Sequence, residues 1–124
     1  MILSTSISIG HAIETWSLKN QTNPVSHGEA VAAGMICESY LSFKLCGLPE
    51  TEVGEISKHI TSLFPVIEFN AIQHHEIIHY VKADKKSSSG TITYALLSAI
   101  GNPVLHTGVD DDLLKASLEY YNSL

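Results

Sequence analysis

Both ends of one long helix are written into residues 26–47. Ser26 and Glu29 have the spacing of a capping box, in which the hydroxyl takes a free backbone N–H of the first turn and the carboxylate reaches back to the cap. Pro24, just upstream, stops an earlier helix from running through this point. Gly47 suits the left-handed conformation that ends a helix. The segment Ser26-His27-Gly28-Glu29-Ala30-Val31-Ala32-Ala33-Gly34-Met35 therefore places His27 at about the first helical position, where its ring can project beyond the helix end. Gly28, Ala30, Ala32, Ala33 and Gly34 leave room for another backbone to pack closely. By itself, a histidine at a helix start serves equally well as a surface or capping residue.

The neighbouring segments read as further helices and one hairpin. Residues 2–17 fit two patterns: Ile7 and Ile9 alternate with Ser and Thr as in a strand, while Ile2, Ile9, Ile13 and Trp16 share a helical face. A loop is expected over 18–25. Pro49 opens a helix whose buried stripe would be Val53, Ile56, Ile60 and Leu63, and Pro65 closes it. Asn70 can cap a helix running to about Val81, followed by a charged loop over 82–90. Thr91–Leu97 reads as a strand, Gly101-Asn102-Pro103 as a turn, and Val104–Thr107 as the returning strand. Asp110, Asp111 and Asp112 favour the start of a last helix, with Leu114, Leu118 and Tyr121 as its apolar face. The expected fold is mainly α, a single domain over 1–124, with one small β-hairpin near residues 91–107.

Composition narrows the function classes. The net charge is −6 and all seven basic residues are lysines. That balance speaks against a nucleic-acid or anionic-membrane partner. It also leaves phosphate recognition to lysines and helix N-termini, without the bidentate fork of arginine. No apolar run has the length of a membrane span, and no basic-then-apolar leader opens the chain. Cys37 and Cys46 are nine residues apart on one expected helix. That is about 13 Å along the axis, too far for a disulfide, so both are expected reduced in a cytoplasmic setting.

Two groups of residues have the composition of a metal site. His75-Glu76-Ile77-Ile78-His79 has the H-E-x-x-H pattern, in which histidines one helical turn apart hold zinc and the glutamate activates a water. The same residues also read as a solvated helix face that carries histidines, with no evident third ligand. His11, Glu14 and His27 form the second group. His11 and Glu14 share a face if their segment is helical, and a loop separates them from His27. Two imidazoles and a carboxylate suit zinc, but Glu14 could instead simply orient His11.

Gly10-His11-Ala12-Ile13-Glu14 and His27-Gly28-Glu29-Ala30-Val31-Ala32-Ala33-Gly34-Met35 together resemble the signature of the 3-dehydroquinate synthases. Asp84-Lys85-Lys86, Gly90 and Tyr94-Ala95-Leu96-Leu97-Ser98-Ala99-Ile100-Gly101 resemble that family's tail. A lone His-Gly-Glu is shared with the related glycerol dehydrogenases; the Asp-Lys-Lys stretch and hairpin favour the synthases. The resemblance implies the helical C-terminal domain of an enzyme that eliminates phosphate from 3-deoxy-arabino-heptulosonate 7-phosphate and closes the product ring, in the shikimate pathway. In that chemistry NAD oxidises a ring hydroxyl and takes its hydride back later, while zinc polarises the hydroxyl. Position by position, the resemblance implies His27 as a zinc ligand. It implies His11 as an active-site histidine beside the substrate phosphate, and Lys85 or Lys86 as a substrate contact.

The sequence departs from the pattern at two of these positions. The family reads Asn-aromatic-Gly-His where this chain has Ser4-Thr5-Ser6-Ile7. Ile7 stands at a zinc-ligand position and cannot ligate, and Ser4 replaces a substrate-contacting Asn. The resemblance further implies that a third ligand, a Glu, the basic phosphate contacts and the NAD-binding domain all precede the stretch matched here. The expectation is a piece of a synthase, inactive alone, that binds no NAD itself. It would pack on the missing N-terminal part of the enzyme or on another copy of itself. The alternatives are an assembly role without catalysis, and a small zinc hydrolase built on residues 75–79.

Overall fold

The helix read from Ser26 to Gly47 is the element around which the other elements pack. The structure, a computed structural model, describes the backbone of residues 7–87 and 93–124, and their side chains apart from residues 7, 8, 84–87, 93, 95 and 107. The order is α1 (Ile7–Asn20), α2 (His27–Cys46), α3 (Glu50–Leu63), α4 (Ala71–Ser87), β1 (Thr93–Ala99), β2 (Asn102–Thr107) and α5 (Asp111–Asn122). α1, α3, β1 and α5 all pack on α2, and α4 lies against α1 and α5. Among the described residues no helix is long and apolar enough to cross a membrane.

Local chemistry fixes the helix ends. Ser26 Oγ accepts from the Glu29 N–H at 3.1 Å, and Glu29 Oε1 accepts from the Ser26 N–H at 2.8 Å. Gly47 ends α2 with φ +81°, and its N–H returns to the Ser42 carbonyl. α4 starts with the same reciprocal arrangement as α2. Asn70 Oδ1 accepts from the Gln73 N–H and Gln73 Oε1 from the Asn70 N–H, both at 2.9 Å. Asp110 Oδ1 caps α5 by accepting from the Leu113 N–H at 2.8 Å.

Packing sets the rest, and it moves several boundaries. Residues 7–20 are helical, so the strand alternative fails there; residues 2–6 lie outside the described set. Ile9, Ile13 and Trp16 are buried, and that burial outweighs the weak helix propensity of the Ser and Ile residues. α1 continues to Asn20, into the expected loop. α4 runs to Ser87 rather than stopping at Val81, so Lys85 and Lys86 sit on its last turn and not in a loop. Lysine is favoured in the last turn of a helix by the dipole, and no Gly or Pro interrupts the run. In α3 the buried positions are Val53, Ser57 and Ile60, whereas Leu63 is 65% exposed. Ser57 replaces it inside because its hydroxyl pairs with the Tyr120 hydroxyl at 2.8 Å.

The hairpin is antiparallel, with Ala99 opposite Asn102, so its turn is Ile100-Gly101 and starts one residue earlier than expected. Gly101 has φ +83°, which an L-residue adopts only with strain. Two hydrogen bonds tie the hairpin down. The Leu97 N–H donates to Ser42 Oγ at 2.9 Å and the Ile100 N–H to Glu52 Oε1 at 3.1 Å. Pro103 is tolerated because a two-stranded sheet has only edges.

The core joins Trp16, Ile36, Leu41, Phe69, Ile77, Leu96, Leu118 and Tyr121. Trp16 meets Phe69 edge to face at 5.6 Å. Both cysteines are free; Cys37 is buried, and burial pushes its thiol up, with Glu38 adding to the effect. Glu38 is the one carboxyl among the buried polar groups of the described residues. It is 5% exposed, and its Oε2 has no hydrogen-bond partner among the described residues. Burial pushes its carboxyl well above the usual carboxylate range.

The folded chain therefore holds a proton that the unfolded chain releases above roughly pH 4.3. Through this group, stability falls as pH rises from there toward the raised folded-state value. Glu38→Gln is accordingly expected to stabilise the chain at pH 8 in urea denaturation, with the gain shrinking toward pH 5. A gain independent of pH would mean that Glu38 titrates normally.

Candidate active site

α1 crosses α2 where neither helix carries a bulky side chain. A Cβ added at Gly10 would lie 3.2 Å from the Ala30 carbonyl oxygen and 3.4 Å from Val31 Cα, so only glycine allows this approach without a shift. Glu14 lies one turn beyond Gly10, and His27 one turn before Ala30. In an antiparallel crossing those two positions face each other. Glu14 Oε1 and His27 Nδ1 are 3.0 Å apart. The capping box below the ring fixes the backbone that carries His27.

The histidine side chain is 77% exposed and the glutamate 26%. An ion pair this open adds little stability, so its consequence is orientation. When the imidazole is neutral, the carboxylate selects the Nδ1–H tautomer. Nε2 is then an unprotonated donor turned away from Glu14, the usual state of a histidine that binds a metal or accepts a proton.

The other expected site residues are distributed around this pair. His11 is exposed on α1 and forms no hydrogen bond with Glu14 or His27 among the described residues, so Glu14 orients His27 rather than His11. Ile7 begins α1 and shares a helical face with His11 and Glu14, at spacings of one and two turns. Lys85 and Lys86 lie on the last turn of α4, and their side chains fall outside the described residues. Among the described residues there is no group of three or more His, Cys, Asp or Glu side chains able to hold a metal ion.

The H-E-x-x-H segment is helical, but its glutamate is engaged elsewhere. Glu76 Oε1 accepts from the indole N–H of buried Trp16 at 2.8 Å. His75 and His79 are exposed, while His74 is buried with Nε2 at 2.7 Å from Asn122 Oδ1.

The family model described as 3-dehydroquinate synthase C-terminal matches residues 7–87, the stretch from α1 through α4. The chain belongs to the 3-dehydroquinate synthase family. The 3-dehydroquinate synthase of Parabacteroides distasonis is 33% identical over 92% of this chain and 32% of its own length. That of Picrophilus torridus is 35% identical over 92% of this chain and likewise 32% of its own. The chain thus spans about a third of the length of the curated synthases it matches. The crystal structure of 2-deoxy-scyllo-inosose synthase complexed with carbaglucose-6-phosphate, NAD+ and Co2+ superposes with a TM-score of 0.72. It is 26% identical and covers 94% of this chain and 32% of that one. The synthase resemblance read from the two Gly-His and His-Gly-Glu segments and the mainly helical fold with one hairpin are both confirmed.

Sequence reasoning grouped Glu14 with His11 and His27 but did not decide which histidine it serves. The deciding signal is Gly10, one turn before Glu14. Two contacts had no sequence signal at all: Trp16 with Glu76, sixty positions apart, and the burial of Glu38.

Nitrogen NMR of the imidazoles at alkaline pH, with His27→Ala for assignment, should find His27 as the Nδ1–H tautomer. Glu14→Ala should convert it to a mixture. An Nε2–H majority in the unsubstituted chain would contradict this orientation of the ring.

Proposed function

We propose that this chain is the helical part of a dehydroquinate synthase-type active site, which supplies His27 and His11 and is catalytically silent alone. The observation that carries the reading is the Glu14–His27 pair at 3.0 Å, built by the same Gly10 crossing that lies within the matched family segment. In this reading His27 Nε2 faces the metal side of the site. His11 and the Lys85–Lys86 end of α4 face the substrate phosphate, with His11 able to move a proton.

A zinc ion does not fit the donors that this chain brings to the Glu14–His27 site. His27 offers one imidazole, Ile7 has no donor atom, and the described residues hold no three-donor group. Structural zinc sites take four protein ligands and catalytic ones three. The metal, the NAD and the third ligand would have to be held by the length of the synthases that this chain does not match, or by another chain carrying it. A peptidase built on residues 75–79 has no such support, since no third donor joins His75 and His79 among the described residues and one oxygen of Glu76 is bonded to Trp16.

A packing role for the same domain is favoured by its apolar surface. Leu63, Ile72 and Leu105 are 65%, 71% and 74% exposed. In this second reading an interface would cover such side chains, and we take a second copy of the chain as the occupant in a purified sample.

Incubated alone with 3-deoxy-arabino-heptulosonate 7-phosphate, NAD+ and Zn2+, the chain is expected to release no phosphate above a protein-free blank. Release that saturates with substrate and is abolished by His11→Ala would overturn the proposal. Light scattering of that preparation at micromolar concentration should give a mass above the monomer. A strict monomer would remove the second copy as the occupant.

A further inference from the structure

The exposed face of α4 carries two imidazoles that the synthase reading does not use. His75 and His79 are four residues apart in the middle of an uninterrupted helix, so their Cβ atoms lie about 6 Å apart on one face. Both are exposed, and among the described residues neither ring makes a hydrogen bond. His74, by contrast, is turned inward onto Asn122. A shallow groove runs along each flank of the pair. One is bordered by Asn20 and Tyr80, the other by Ile78 and Asp112, and His75 and His79 line both.

The surroundings do not repel a cation. Lys82, which lies in one groove, is paired with Asp111 at 3.0 Å, and Lys115 on the same side is offset by Asp112. On the other side the Glu76 carboxyl borders the groove, and its Oε1 accepts from the Trp16 indole. Lys19 of α1 is held over the Tyr80 ring, 5.8 Å from its centroid. His79 itself packs edge to face with Tyr80 at 6.2 Å, which restricts the ring without using a nitrogen.

We propose that His75 and His79 form a two-histidine site for a divalent transition-metal ion, separate from the Glu14–His27 pair. Two neutral imidazoles one turn apart chelate a single ion, and solvent water fills its remaining positions. No third protein donor joins them among the described residues. The site therefore binds rather than buries the ion, and its order of preference follows the intrinsic series, with Cu2+ above Zn2+. Glu76 Oε1 accepts from the Trp16 indole, and with two protein donors the pair is one short of a catalytic zinc centre. The site is for binding, not hydrolysis.

The test is titration of the whole chain with Cu2+, and separately with Zn2+, by calorimetry and electron paramagnetic resonance. One Cu2+ per chain is expected, with nitrogen coupling from two imidazoles and affinity above that for Zn2+. His75→Ala or His79→Ala should each weaken binding on the order of a hundredfold, because either removes the chelate. His27→Ala should leave it unchanged. Both substitutions are at exposed positions, and circular dichroism of each variant reports whether the fold is kept. Absence of Cu2+ binding, or binding that survives both alanine variants, would overturn the site. Loss of binding with His27→Ala alone would also overturn it. Since the synthase reading rests on α1 and α2, it stands or falls independently of these outcomes.

Discussion

The close crossing of α1 over α2 at Gly10 is the contact on which the other features depend. A side chain there would press on the Ala30 carbonyl, which belongs to the backbone of the central helix and cannot swing aside. Beside this approach Ile9, Ile13 and Trp16 are buried in the core, which holds α1 in a helical conformation that its own Ser- and Ile-rich start favours only weakly. It also carries Glu14 to His27. One packing contact thus connects the core to the chemistry. The small residues after His27 are needed less for helix propensity than for letting another backbone come close.

Much of the fold was legible because its punctuation is local. The Ser26–Glu29, Asn70–Gln73 and Asp110 caps each use side chains within three residues of the backbone they satisfy, so their spacing carries the information. Gly47 and Pro65 end helices for equally local reasons. The misread boundaries are those decided at a distance. α1 persists to Asn20 because its C-terminal turn packs by Tyr80 of α4, where Lys19 covers the ring. Leu63 is exposed because Ser57, not Leu63, faces Tyr120.

The site was legible in its residue types and not in its pairings. Histidine and glutamate at positions 11, 14 and 27 were evident as a group, but a helical face alone leaves Glu14 able to serve either imidazole. Only the antiparallel crossing selects His27. The H-E-x-x-H segment shows the converse. Its spacing was correct and its helix forms, yet the role of Glu76 is settled by Trp16, a residue that no local pattern connects to it. Glu38 remains a buried carboxyl without a partner for its Oε2, a cost that the structure shows no compensation for among the described residues.

On the proposed reading, one oriented imidazole, Ile7 in place of a second ligand and no third donor among the described residues should not retain zinc. The direct measurement is zinc content and affinity of the chain carrying both His75→Ala and His79→Ala, compared with the same chain carrying His27→Ala as well. The account predicts no stoichiometric zinc in either and no difference between them. One zinc per chain that disappears with His27→Ala would contradict it, and would mean that the chain completes the site from donors of its own.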